Sequence, residues 1–427
     1  MEGDHVLATY RIETPHSLER AAEVIAGEQS TGTFVSVPGE TAEIKQRHGA
    51  RVTRIDPLEA ATAPSLPGSR MPLAAGRDPA APAQFRRGNV TIEFPLHNFG
   101  PSLPNLLATV AGNLYELEEL SGVRLVDLEL PQAFADHYPG PAFGVEGTRR
   151  LAGVLDRPLI GTIVKPSIGL ATADLARLVR ELALAGIDFI KDDELHADPP
   201  YAPLAERVPA VMAEIERVAD ETGKRTMYAF NITGDLDHML RAHDLVVEHG
   251  GTCVMASLNA VGFAGMEFLR RRCALPIHGH RNFFGALSRH PFLGLGFTAY
   301  QKLWRLAGVD HLHVGGLGSK FYEDDGEVAD SIIDCLTPML GGYRVMPAIS
   351  SAQWAGSAID TFAATHTTDV IHLAGGGIIG HPDGTAAGVR SMRQGWEAAL
   401  AGTPLETYAA DHPELAAAIK KFGRFRS

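Results

Sequence analysis

From about residue 150, short apolar runs alternate with longer segments in which apolar and small residues recur at spacings of three and four. The runs are LIGTIVK (159–165), DFIKDDE (188–194), RTMYAFN (225–231), GTCVMAS (251–257), LPIHGH (275–280), DHLHVGG (310–316), YRVMPAIS (343–350) and DVIHLAGGG (369–377). Each is followed by a helix-like stretch such as ATADLARLVRELALAG (171–186). A short apolar run reads as a buried parallel strand and the three-and-four spacing as the helix that covers it. Units of this kind starting roughly 23 to 40 residues apart predict a C-terminal (β/α)8 TIM barrel. A doubly wound sheet accounts less well for so many units, and no GxGxxG follows the first run. The polar residues gather at the C-terminal ends of the runs, the face on which such barrels carry active sites.

The first 135 or so residues have a different texture. A strand-like opening at 6–12, a helix at 17–28, the turn-rich QSTGTF (29–34) and a second helix beginning after Pro104 predict a small α+β N-terminal domain. The Pro/Ala-rich passage 56–87 reads as a surface loop. A Pro-bounded stretch near residue 140 separates the two textures, which gives domains at 1–140 and 141–427, the second including C-terminal helices.

Composition narrows the partners. Of 427 residues, 38 are Lys or Arg and 51 Asp or Glu, a formal charge of -13 that disfavours nucleic acid and anionic membrane surfaces as partners. Cys253, Cys273 and Cys335 have no CxxC spacing and fit neither a disulfide framework nor a zinc site, so a reducing cytoplasmic setting is expected. No long apolar run suggests a membrane span, and the N-terminus lacks the pattern of a signal peptide.

The segment that carries most chemistry ends the second run. Alternation places Lys191 and Asp193 on one face, with Glu194 at the strand end. Two carboxylates make a weak Mg2+ site, because this ion prefers octahedral oxygen ligands. The lysine becomes a third anionic oxygen ligand if its neutral amine adds CO2, and burial favours the neutral amine. Other strand ends supply Lys165, His280 with Arg281, His313 with a Gly-rich loop bearing Lys320, Ser350, and the glycines Gly375 and Gly376. Backbone N–H groups at those glycines suit a phosphate. Arg281, His313 and Ser350 suit a second anionic end or substrate hydroxyls, Lys165 suits general acid/base work, and Lys320 suits closure over a carboxylate.

This combination resembles the large subunit of ribulose-bisphosphate carboxylase (RuBisCO) over nearly the whole chain. FIKDDE resembles that family's carbamylated-lysine and magnesium motif, which implies Lys191 as the carbamate and Asp193 and Glu194 as its fellow ligands. TIVKP resembles the segment with the proton-transferring lysine, here Lys165, while HGHR and DHLHVG followed by Lys320 resemble the family's histidine–arginine pair and mobile loop. EQSTGTF, with Glu28 and Thr33, and TVAGN, with Asn113, resemble segments that reach the active site from a neighbouring subunit. The resemblance therefore implies a homodimer, or a higher homo-oligomer built of dimers. The departures are equally specific. Ser167 replaces a second lysine, Phe284 a histidine, Phe34 a tryptophan, and Ser351 and Ala352 a glycine pair that helps to bind one phosphate of a bisphosphate. These changes resemble the RuBisCO-like (form IV) proteins and imply a substrate with something smaller at that end.

Among RuBisCO-like activities, the best match is Mg-dependent, enediolate-type chemistry on a phosphorylated keto sugar acid, 3-oxo-isoapionate 4-phosphate. The expected outcome is transcarboxylation with hydrolysis, or decarboxylation, in apiose and apionate catabolism. The enolase of methionine salvage, acting on 2,3-diketo-5-methylthiopentyl 1-phosphate, resembles the chain near Asn98 but has a base lysine where Asn113 stands. The 5-methylthioribulose 1-phosphate isomerase, a genuine carboxylase, a non-catalytic or regulatory homologue and an unrelated metal-dependent aldolase are the other readings.

Overall fold

A computed structural model describes residues 4–33, 35, 37–69 and 84–423. It divides into two compact units, residues 1–139 with 283–306 and residues 140–282 with 307–427.

The first unit is built on a five-stranded sheet in the order Leu293–Leu295, Gly122–Glu129, His5–Thr14, Phe85–Pro95, Arg51–Ala61. The central strand His5–Thr14 pairs antiparallel with both neighbours and alternates from His5 to Ile12, so that Val6, Ala8, Tyr10 and Ile12 are buried, before ending on the buried Glu13 and Thr14. Helix Leu18–Glu28 packs beside the sheet through Leu18, Ala21, Ala22, Ile25 and Ala26, with the Ser17 hydroxyl capping its N-terminus.

Three sequence expectations change here. The passage 56–87 is not one loop: its ends belong to strands Arg51–Ala61 and Phe85–Pro95, and Phe85 is in the core, while residues 70–83 lie outside the described residues. Arg51–Ala61 is an edge strand with no buried position, which is why it tolerates Pro57 and shows no apolar alternation. The helix expected after Pro104 begins at Leu103, because proline fits the first helical turn, where its missing N–H would be unpaired in any case, and it is preceded by a further helix, Ala42–His48. Finally, residues 283–306 group with the first unit instead of the barrel unit. Strand Leu293–Leu295 adds in parallel to Gly122–Glu129, and Lys302 Nζ donates to Asp127 Oδ1 at 2.6 Å.

The second unit is a closed eight-stranded parallel barrel. Its strands are Leu159–Ile163, Phe189–Lys191, Met227–Asn231, Cys253–Ser257, Ile277–His280, His311–Val314, Met346–Ile349 and Ile371–Leu373, one in each apolar run. Leu159, Phe189, Met227, Ala229, Met255, Met346, Ala348 and Ile371 fill the interior. Covering helices bury one stripe each; in Thr172–Leu184 it is Leu175, Val179, Leu182 and Ala183. No described helix is long and apolar enough to cross a membrane.

Candidate active site

The run 188–194 contains four acidic residues with two different roles. Asp188, at the start of the second strand, accepts from Arg157 Nη1 at 2.6 Å and Nη2 at 3.0 Å and from the Ile160 N–H at 2.8 Å, and Lys224 also pairs with it. Asp192 is buried against Arg207 Nη2 at 3.2 Å and the Tyr228 hydroxyl at 2.6 Å. Both are consumed by structure. Asp193 and Glu194 instead gather beside Lys191.

Lys191 is completely buried at the end of its strand, its Nζ has no hydrogen-bond partner, and the nearest carboxylate oxygen, Glu194 Oε2, is 3.5 Å away. Burial lowers its pKa, although the charges of Glu194 and Asp193 oppose the shift. Asp193 Oδ2 accepts from Lys165 Nζ at 2.6 Å, and Lys165 also donates to Ser167 Oγ at 2.8 Å. Burial alone would raise the Asp193 carboxyl; the hydrogen bond from Lys165 and that from the Leu195 N–H hold it below the ordinary value. Glu194 is likewise held low against its burial by the fields of His280 and Lys191. Asn231, at the end of the third strand, fixes this corner by donating to the Asp193 and Glu194 carbonyls at 3.2 and 3.3 Å.

His280 lies 3.4 Å from Glu194 through Nε2. Its pKa is lowered to about 4 by burial and then by the charge of Lys191, while the charge of Glu194 pulls it upward. Nδ1 accepts the Asn282 N–H at 3.2 Å, which leaves the ring proton on Nε2, facing Glu194.

A chain of imidazoles runs through the barrel. Thr148 Oγ1 is 2.8 Å from His311 Nε2, His311 Nδ1 is 3.3 Å from His278 Nδ1, His278 Nε2 is 2.8 Å from His313 Nε2, and His313 Nδ1 is 3.1 Å from Ser350 Oγ. Burial holds all three rings far toward the neutral form, with His311 at about 3. The Thr148 hydroxyl donates to the Gly144 carbonyl. With one proton per ring, each imidazole then donates toward Thr148 and accepts from the other side. Ser350 at the far end gives its only proton to His313, which leaves its oxygen an acceptor only.

The other expected residues are placed as follows. Gly375 and Gly376 begin the short helix Gly375–Ile379 after the eighth strand. A Cβ on Gly375 would meet Lys165 Cε at 3.4 Å, and one on Gly376 would meet open space. Lys320 is exposed in the loop after the sixth strand, while Arg281 is paired with Glu323 from the same loop. Ser351 and Ala352 keep left-handed backbone, φ 81° and 51°, despite their side chains, and Ser351 Oγ is buried without a partner. Glu28, Thr33 and Asn113 belong to the first unit, where Asn113 Nδ2 is 3.5 Å from Glu28 Oε1 and the Thr33 hydroxyl meets the Glu40 carboxylate. Phe284, also in that unit, is buried against Phe297 and Tyr300. Phe34 lies outside the described residues.

Sequence reading did not single out Asn231, Thr148, His278, His311 or Glu323. Alternation in HGH and HLH carried a signal, since residues two apart on a strand share a face.

Among the described residues no group of three His, Cys, Asp or Glu side chains is close enough to hold a metal ion. The donor set still fits Mg2+: Asp193 and Glu194 supply hard oxygens, and the buried, unpartnered Nζ of Lys191 stands where CO2 addition would create the missing third one.

Two family models match: the ribulose bisphosphate carboxylase large chain catalytic domain over residues 144–422, and its N-terminal domain over 1–65 and 79–134. The chain is 51% identical, over 97% of its length and 99% of the relative's, to a protein of Xanthobacter autotrophicus named 3-oxo-isoapionate-4-phosphate transcarboxylase/hydrolase. It is 47% identical, over 98% of both chains, to a Rhizobium etli protein named 3-oxo-isoapionate-4-phosphate decarboxylase. Among solved structures, a rubisco-like protein from Burkholderia fungorum superposes with a TM-score of 0.89 at 50% identity, covering 98% of this chain and 100% of that one. The octameric RuBisCO of Pyrococcus horikoshii gives 0.85 at 30% identity, covering 99% and 95%. With the barrel, the Lys191 corner and these relatives in agreement, the chain belongs to the ribulose bisphosphate carboxylase large-chain family, as a RuBisCO-like protein.

Proposed function

We propose that this protein is a Mg-dependent enzyme that acts on 3-oxo-isoapionate 4-phosphate as a transcarboxylase/hydrolase, cleaving a carbon–carbon bond. The observation that carries the reading is the 51% identity, along almost the whole chain, to a relative named for that activity. The site suits a 3-oxo acid. Breaking a bond beside the ketone leaves negative charge on the ketone oxygen and needs a proton donor at the neighbouring carbon.

Lys191 as its carbamate, Asp193 and Glu194 would hold the Mg2+, whose chemistry is to polarise the ketone oxygen. Lys165, hydrogen-bonded to Asp193 and Ser167, holds a proton beside Gly375 and is the donor. His280 presents Nε2–H toward Glu194 and exchanges protons at that corner. Ser350 accepts a substrate hydroxyl, its own proton being committed to His313. Gly375 and Gly376 bind the phosphate through backbone N–H groups. Lys320 closes over the substrate carboxylate, and Glu28, Thr33 and Asn113 complete the site of a neighbouring subunit in a cytoplasmic homodimer. Side chains at Ser351 and Ala352 support a substrate without a second phosphate.

The test is turnover of 3-oxo-isoapionate 4-phosphate in Mg2+ and bicarbonate, read by 31P NMR. New phosphorylated product that is absent in EDTA is expected. No turnover of this compound, with turnover of a methylthiopentyl phosphate instead, would reject the assignment.

A further inference from the structure

We propose that Glu323 is a resident occupant of the oxyanion position at Arg281, and that a substrate oxyanion exchanges with it and thereby releases the loop that carries Lys320. The inference rests on the reading above, that this barrel end binds an anionic substrate, and adds to it a residue that governs binding.

Arg281 follows His280, whose ring centroid is 4.3 Å from that of His313. Its guanidinium is engaged in fork geometry by both carboxylate oxygens of Glu323, with Nη1 to Oε1 at 2.8 Å and a second contact from Nη2 to Oε2. The two side chains are only 9% and 7% exposed. The strand end is bare against this pair: a Cβ on Gly315 would come within 3.2 Å of Glu323 Oε2 and 3.5 Å of Arg281 Nη2. A carboxylate held this way copies the geometry in which arginine binds a substrate carboxylate or phosphate.

Placement in the loop supplies the coupling. Glu323 is three residues beyond Lys320 and immediately precedes Asp324, which caps helix Asp325–Leu336 by accepting from the Glu327 N–H at 2.8 Å. The loop's far end is therefore anchored, and the Arg281 contact ties down the segment next to Lys320, which is exposed in this state. A buried guanidinium without an anion is strongly unfavourable. Glu323 accordingly leaves when another oxyanion takes its place, and loop release becomes conditional on ligand entry.

Inorganic phosphate and acetate serve as separate probes of the two oxyanion types, titrated calorimetrically into the full-length protein and into E323Q. Freed from competition with its own carboxylate, E323Q should bind one of the two at least about tenfold more tightly, and R281K should remove that gain in the double variant. The probe that gains identifies the group Arg281 receives. A second measurement leaves Glu323 in place: in F321W, at an exposed loop position, the same probe should shift the indole emission saturably. No gain for either probe in E323Q, or binding to F321W without any change in emission, overturns the proposal. Neither readout uses the oxo-acid substrate, so loss of the proposed activity and loss of this exchange are separate results.

Discussion

Replacing Lys191 by methionine sets stability against activity. The amine is fully buried, has no hydrogen-bond partner and is 3.5 Å from its nearest carboxylate. Its depressed pKa shows that burial outweighs the attraction of Glu194 and Asp193. An apolar side chain of similar volume removes that burden; replacing a whole buried ion pair in this way is neutral or stabilising by about 1–4 kcal/mol, and here only one member is replaced. Against this, Glu194 loses a cation, which costs about 0.5–1 kcal/mol because its side chain is 32% exposed and partly screened. The net expectation for K191M without ligands is a gain of about 1 kcal/mol, with activity abolished. Ligand linkage gives the sharper contrast. If CO2 and Mg2+ assemble on Lys191, the wild type should gain about 2.7 kcal/mol at a hundredfold excess over Kd, and K191M nothing. Thermal unfolding of both proteins, with and without bicarbonate and Mg2+, checks each part. Equal ligand-induced shifts in the two proteins, or K191M destabilised by the roughly 3–5 kcal/mol of a broken buried ion pair, would refute the reasoning.

Three further outcomes are expected. K165M removes the proposed proton donor and the partner that keeps Asp193 ionised, so kcat should fall by about 10²–10⁴ with a much smaller change in KM; a loss confined to KM in steady-state kinetics would assign Lys165 to binding alone. S351G should stabilise by about 0.5–1 kcal/mol, since relief of left-handed strain of roughly 1–2 kcal/mol exceeds glycine's cost in the unfolded chain, and a lower unfolding midpoint would contradict the strain at φ 81°. His372, buried with a pKa of about 3, accepts from Trp396 Nε1 at 2.9 Å. The unfolded imidazole takes up a proton near pH 6.5 and the folded one does not, so stability falls as pH drops from about 6.5 toward 3. At pH 5 the loss from this ring is about 1–2 kcal/mol, and H372Q should show that much less acid destabilisation in urea titrations at pH 7 and pH 5.

The barrel was legible because each strand is a short apolar run and each helix buries one stripe, so local pattern and tertiary role coincide. The edge strand Arg51–Ala61 was not, since an exposed strand leaves no alternation to read. Within the site, Lys191, Asp193 and Glu194 stood out as charges at a strand end, but Asp188 and Asp192 carry the same charge. Only the positions of Arg157, Lys224 and Arg207, remote in sequence, separate the structural carboxylates from the pair proposed to bind metal. The Arg281–Glu323 pair spans 42 residues, and the direction of the histidine chain depends on one hydroxyl proton at Thr148. Neither leaves a local trace in the sequence.

The most direct test of the proposed activity follows the carboxyl carbon. The protein, with Mg2+ and bicarbonate, would be given 3-oxo-isoapionate 4-phosphate labelled with 13C in its carboxylate, and the label traced by NMR. Transcarboxylation followed by hydrolysis retains the label in an acid product. Its release as CO2, leaving one phosphorylated ketone, would contradict the transcarboxylase/hydrolase assignment in favour of decarboxylation, and an unchanged substrate would contradict the proposed activity altogether.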